Sequence, residues 1–219
     1  MSAIDVQNYP YPFFAREGWP FIAISLIGFV GLLILDLFFG AFLALILSIF
    51  TFQFFRDPKR SGPGDDSVIT SPADGRVIFI GKSLDPLQNT EALKISVFMN
   101  VFNVHSNRSP IEGTIKSVDY QSGDFFNADL DKASEQNERN SVLFVDKSGR
   151  RLTCIQIAGL VARRICCYVS PGDTVQRGAR FGFIRFGSRV DVYLPVNARP
   201  LVTVGDKILA HSSAIANWP

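Results

Sequence analysis

From Phe21 to Phe55 the chain runs through 35 residues carrying a single formal charge, Asp36. That exceeds the ~20 apolar residues needed to cross a bilayer. At ~1.5 Å per residue one unbroken helix would overrun a ~30 Å hydrocarbon core, so the pattern predicts two helical pieces broken near Asp36 and Gly40. At the tip of such a hairpin, Asp36 would reach the headgroups. Ahead of the run, Tyr9, Tyr11, Phe13, Phe14 and Trp19 are aromatic residues of the kind that favour a membrane interface. The start of the chain has no basic cluster and no small-residue cleavage site, which argues for a retained anchor and against a signal peptide.

The pattern changes at Ser61. Gly62, Pro63 and Gly64 read as a linker, after which short Val-, Ile- and Phe-rich runs alternate with turn signals. The expected organisation is an N-terminal membrane-anchoring segment, 1–60, followed by a mainly β, compact barrel- or sandwich-like domain, 61–219. Strands are expected at 77–81, 93–99, 113–120, 141–145, 152–158, 165–169, 180–186, 190–194 and 201–204, with a weak helical signal at 129–138. Gly123-Asp124, Gly172-Asp173 and Gly205-Asp206 each follow a β-type run and are expected to make hairpin turns.

A chain of 219 residues accommodates one ordinary domain with an appendage. Arg56, Lys59 and Arg60 directly after the apolar run place that end on the cytoplasmic side of a cell membrane, and such cations also attract anionic lipids. Cys154, Cys166 and Cys167 lack metal-ligand spacing and read as small buried hydrophobes in a reducing compartment. A net charge of +2 without a basic, aromatic-interleaved stripe gives no reason to expect a nucleic-acid partner.

The chemistry concentrates at Phe186-Gly187-Ser188-Arg189. A serine hydroxyl can attack the carbonyl before it, and Gly187, lacking a Cβ, leaves that carbonyl open. His105 is a base for this step and Asp74 a carboxylate to hold the imidazole, by the logic of a Ser-His-Asp triad. If the resulting ester eliminates across Cα–Cβ, residue 188 becomes dehydroalanine and then a pyruvoyl group. The same three residues acting on an external substrate would make an anchored serine hydrolase, but Val190 breaks the G-x-S-x-G elbow and no α/β pattern is present. A non-enzymatic anchored β scaffold would account for the turns alone.

Ser71-Pro72-Ala73-Asp74-Gly75, the stretch from Phe98 to Pro110, Asn137-Glu138-Arg139-Asn140, Gln156-Ile157-Ala158-Gly159 and Phe186-Gly187-Ser188 occur in that order, with Phe55-Arg56-Asp57-Pro58 ahead of them. The series resembles phosphatidylserine decarboxylase proenzymes of the short bacterial and archaeal type. The resemblance implies cleavage at Gly187-Ser188 into a β chain, 1–187, and an α chain, 188–219, which stay together as a heterodimer able to form a higher homo-oligomer. It implies Ser188 as attacking residue and precursor of a covalent pyruvoyl cofactor, with neither PLP nor a metal. His105 is implied as base, later close to the reacting carbon, and Asp74 as the residue orienting it. The substrate implied is phosphatidylserine, or an ether lipid bearing serine, and the diacyl product is phosphatidylethanolamine. Arg108, Lys132, Arg139, Arg163 and Arg164 are cations suited to the lipid phosphate and carboxylate. His211 fits none of these motifs and reads as structural.

Overall fold

The structure is a computed structural model that describes residues 13–65, 67–124, 136–159, 164–185 and 188–219. They form two compact units, one ending at Lys59 and the other comprising Arg60–Pro219.

In the first unit a 3-10 turn, Arg16–Gly18, leads into α1 (Trp19–Ile34) and α2 (Phe38–Phe54). Pro20 falls in the opening turn of α1, where no intrahelical N–H is required. The break comes at Asp36, which adopts the left-handed region at φ 56°, a conformation that a short polar side chain tolerates better than the surrounding Leu and Phe. Gly40, expected to share in the break, instead lies inside α2, where a Cβ would sit 3.4 Å from a methyl of Leu32 on α1. Its smallness serves close helix packing. Ser48 and Thr51 donate back to the carbonyls of Ala44 and Leu47, both at 2.8 Å, so neither hydroxyl is stranded in an apolar helix. Ile24, Ile27, Ile34, Phe38 and Phe39 are exposed. Among the described residues one helix, Arg16–Ile34, is long and apolar enough to cross a membrane.

The second unit is built from β1 (Val68–Thr70), β2 (Gly75–Asp85), β3 (Thr90–Met99), β4 (Ser106–Arg108), β5 (Gly113–Gln121), β6 (Arg139–Val145), β7 (Arg151–Ala158), β8 (Ile165–Cys167), β9 (Thr174–Val175), β10 (Arg180–Ile184), β11 (Ser188–Pro195), β12 (Arg199–Pro200), β13 (Lys207–Ile208) and β14 (Ala214–Asn217). An eight-stranded antiparallel sheet in the order β13-β2-β3-β11-β7-β6-β5-β9 curls into a half-barrel, with two small sheets, β1-β14-β12 and β4-β10-β8. Alternation sets the faces: Leu93, Ile95 and Val97 on β3, Val190, Val192 and Leu194 on β11, and Val142 and Phe144 on β6 all enter one core. Ala92, Ile155, Ile157 and Tyr193 form a smaller cluster on the opposite face.

The mainly β class and most expected strands are present. The segment 201–204 is not a strand; it follows β12 and enters a turn. At 170–173 and 203–206 the turns match: Ser170 and Thr203 N–H donate to the carboxylates of Asp173 and Asp206, with Gly172 and Gly205 at φ 95° and 101°. Neither is a hairpin turn, because β8 and β9, which flank the first, belong to different sheets, as do β12 and β13 around the second. Cys154 is buried as expected, whereas Cys166 and Cys167 are partly exposed. Residues 129–135 of the expected helix at 129–138 lie outside the described residues, and Asn137 is in a β-bridge with Asp124.

Candidate active site

Ser188 opens β11, two residues earlier than the hydrophobic pattern suggests, and is fully buried between two strands. It pairs with Met99 at the end of β3 on one side and with Ala158 at the end of β7 on the other. Its Oγ lies 3.2 Å from the Met99 sulfur. A thioether is a weak acceptor, so the hydroxyl has a fixed direction but gives little up when its proton is taken elsewhere.

Three buried amides form a chain that ends on the same sulfur. Alternation aims Asn140 and Gln156 into the interior, beside Val142 and Cys154, at positions that would otherwise be apolar. Asn140 Nδ2 donates to Gln156 Oε1 at 2.9 Å, Gln156 Nε2 to Asn107 Oδ1 at 2.7 Å, and Asn107 Nδ2 to Met99 Sδ at 3.8 Å. Every donor points toward the sulfur that also receives Ser188. Gly182 on β10 makes room for this chain: a Cβ there would lie 2.4 Å from Gln156 Nε2 and 2.7 Å from the Cys166 carbonyl. Asn137 Nδ2 donates to the Ala158 carbonyl at 2.7 Å, fastening the end of β7 next to Ser188.

His105 is fully buried just before β4. A tight turn delivers it: Asn100 Oδ1 accepts from Phe102 N–H, Asn103 Oδ1 from Asn100 N–H, both at 2.9 Å. The Asn103 carbonyl lies 3.0 Å from His105 Nδ1. A carbonyl can only accept, so Nδ1 carries the hydrogen and Nε2 the lone pair. The His105 carbonyl in turn accepts from Ile184 N–H at 3.3 Å, at the end of β10, four residues before Ser188. The fold therefore brings the imidazole segment and the serine strand to the two ends of one short connection, within which Phe186 and Gly187 lie outside the described residues.

Asp74 is buried in the turn before β2. Its Oδ1 accepts from Ala210 N–H and its Oδ2 from Arg60 Nη2, both at 2.7 Å. Gly75 is required beside it, since a Cβ would sit 2.1 Å from the Phe98 carbonyl of β3. Arg60, read from the sequence as a membrane-flanking cation, is thus bound to the Asp74 carboxylate. Arg108 is buried on β4 and donates to the Gly178 carbonyl at 3.1 Å. Arg139 projects from the opposite face of the large sheet, where it borders a 580 Å³ cavity with Lys94, Arg189 and Asp191. Lys132 and Arg163 lie outside the described residues, and Arg164 is exposed. His211, in the left-handed region at φ 64°, packs its ring where a Cβ on Gly62 or Gly178 would come within 2.3 or 2.5 Å. Burial, and then the charges of Arg108 and Arg177, hold its pKa below the usual imidazole value.

Sequence reasoning alone assigned no individual role to Met99, Asn107, Asn140 or Gln156 and read Arg60 only as a membrane-flanking cation. Gln156 and Asn140 did carry a signal, each being an amide at an inward position of an apolar strand.

A family profile described as phosphatidylserine decarboxylase matches residues 47–216. The phosphatidylserine decarboxylase proenzyme of Cupriavidus metallidurans is 54% identical over 212 residues, covering 96% of this chain and 98% of its own. The proteins of the same name from Paraburkholderia xenovorans and Paraburkholderia phymatum are 54% identical over 214 residues and 55% over 212, each match covering 96% of this chain and 99% of the relative.

Proposed function

The chain belongs to the phosphatidylserine decarboxylase family, and on that footing we propose that it cuts itself between Gly187 and Ser188 and then converts phosphatidylserine to phosphatidylethanolamine at a membrane. The observation that carries this reading is the placement of the Ser188 hydroxyl, buried at the head of a central strand amid side chains drawn from four separate sequence segments.

In the self-cleaving step, Ser188 Oγ attacks the Gly187 carbonyl carbon and gives its proton to His105 Nε2. The C–N bond breaks as the nitrogen of residue 188 takes up a proton, leaving an ester. Asp74 supplies the negative charge that favours the imidazolium formed in this transfer. Removal of the residue 188 Cα proton then breaks the ester C–O bond, releasing Gly187 as a carboxylate and leaving dehydroalanine. Water enters, ammonia leaves, and residue 188 carries a ketone. The site suits such a group: residue 188 keeps strand neighbours on both sides, Met99 and Ala158, so a chain end made there remains inside the sheet.

That ketone supplies an acceptor for the substrate amine and for the electron pair left as carbon dioxide departs. His105 Nε2, which bears the lone pair while Nδ1–H faces the Asn103 carbonyl, takes up a proton given off by the substrate ammonium and returns it to the reacting carbon. Arg108, three residues beyond His105, is the cation we assign to the lipid's anionic groups. α1 and α2 anchor the chain as a hairpin, and Arg56 and Lys59 beyond it favour a cytoplasmic β unit.

Intact mass of the purified chain tests the reading. Two fragments divided at 187–188, the smaller headed by a keto-acyl group, are expected, with Ser188→Ala remaining whole. A single uncut chain with no decarboxylation of phosphatidylserine vesicles overturns it.

A further inference from the structure

Scission at 187–188 removes the backbone link that ties β11 to β10, and Ser188 becomes the first residue of a free-ended strand. Strand ends held by ladder bonds alone fray readily. Yet the reacting group must be held closely, because a misplacement of about 1 Å can cost ~100-fold in rate. Resting on the self-cleaving reading, we propose that Arg189, with Asp191 and Lys94, is the positioning device that keeps residue 188 in register once the chain is cut.

Side chains alternate along β11, so Ser188 enters the core while Arg189 and Asp191 share the other face. Arg189 Nε and Nη2 lie 2.9 and 3.1 Å from Asp191 Oδ1 and Oδ2. Lys94 Nζ, reaching diagonally from β3, lies 3.2 Å from Asp191 Oδ2. The Arg189 and Asp191 side chains are only 2% and 1% exposed. Lys94 is steadied in addition by the Phe79 and Tyr193 rings, 5.5 and 5.7 Å from its nitrogen. Lys94 ties Asp191 across to β3, and Arg189 is tied along β11 to that same carboxylate, so the start of β11 is fastened from the face opposite the chemistry.

Burying two cations around one carboxylate is poor design for stability alone, since well-packed apolar residues would do as well or better. The best-attested use of such a cluster is to specify register, and this one begins one residue past the proposed cut. A guanidinium suits the task because it is planar and always charged: its Nη2 donates to Asp191 Oδ2 while Nε lies against Oδ1 at ion-pair distance.

The test uses the full chain with phosphatidylserine vesicles and the variants Arg189→Met, Asp191→Asn and Arg189→Lys. Scission is expected within about threefold of the unsubstituted rate in all three, because the uncut backbone still holds residue 188. In Arg189→Met and Asp191→Asn, kcat is expected to fall about tenfold or more with KM within about twofold, and Arg189→Lys to recover most of kcat. Amide hydrogen exchange across 189–192 is expected to rise in the cut Arg189→Met chain but not when Ser188→Ala keeps that chain whole. A cut Arg189→Met chain with unchanged kcat overturns the anchor alone. So does a loss of scission and kcat together with equal exchange in cut and uncut forms, which would signify a general folding role. An unsubstituted chain that stays whole overturns the self-cleaving reading and the anchor with it.

Discussion

Ser188 Oγ and Met99 Sδ face each other at 3.2 Å across the β3–β11 ladder, where the two residues are register partners. The pair orients the hydroxyl without holding it tightly, and the same sulfur ends the amide chain from Asn140 through Gln156 and Asn107.

Met99→Leu preserves volume and is expected to cost less than about 1.5 kcal/mol of stability. It removes the acceptor for Ser188 and for Asn107, so self-scission is expected to slow several-fold in a chain that still unfolds cooperatively. A time course of fragment appearance on denaturing gels, beside a denaturant melt, checks both halves.

Gly182→Ala acts on the same chain from behind. The added methyl meets the Gln156 amide and the Cys166 carbonyl, and backbone cannot retreat as a flexible side-chain tip can. A destabilisation of about 1–3 kcal/mol is expected, together with slower scission, whereas Gly64→Ala, with open space around its Cβ and no left-handed backbone, should leave the scission rate unaltered. Chemical unfolding midpoints and fragment yields give the comparison.

The Arg60–Asp74 pair has side-chain exposures of 16% and 4%, low enough for the loss of one partner to matter. Arg60→Met strips the guanidinium from a buried carboxylate and is expected to destabilise by about 3 kcal/mol. Adding Asp74→Asn should recover part of that loss while abolishing scission. A double-mutant cycle on unfolding free energy measures the coupling; a purely additive result would contradict a direct pair.

His211 gives a pH dependence of definite sign. Its folded pKa lies below the ordinary imidazole value, so just below that value the unfolded chain binds more protons than the folded one. Its stabilising contribution is full above a pH of about 6.5 and is lost as pH falls toward the folded pKa. His211→Asn, a residue that accepts the left-handed backbone, should flatten the melting temperature over that window.

If α1 and α2 form a membrane hairpin, both ends of the anchor lie on one side. In sealed vesicles with the β unit outside, protease is expected to remove residues 1–20; protection of that segment would indicate a single crossing.

Much of the architecture was legible because it depends on local periodicity. A long apolar run, one aspartate within it, and alternating β-branched segments suffice to read two helices broken near Asp36, though not that Gly40 lies inside the second, and a β domain beyond them. The strand expected at 201–204 failed because the bonding to β14 ends at Leu201, whose N–H donates to the Ile215 carbonyl, while Thr203 N–H is already taken by the Asp206 carboxylate of the following turn. Of the three expected Gly-Asp turns, those at 172–173 and 205–206 were readable as turns while Asp124 instead bridges to Asn137, and which sheet each flanking strand would join is a matter of packing.

The amino-acid sequence by itself determined the helical pair and the β class and pointed to Ser188, His105 and Asp74 as candidates for the chemistry, since these readings rest on composition, short spacing and ordered motifs. Only the tertiary structure decided that Met99 receives the serine, that Gln156 and Asn140 carry an amide chain to it, and that Arg60 and Ala210 hold Asp74. Those partners are 14 and 136 positions apart from the carboxylate they bind. The physical reason is that a buried polar group must find its partner wherever the curled sheet brings one within hydrogen-bond distance, and separation along the chain does not encode that proximity.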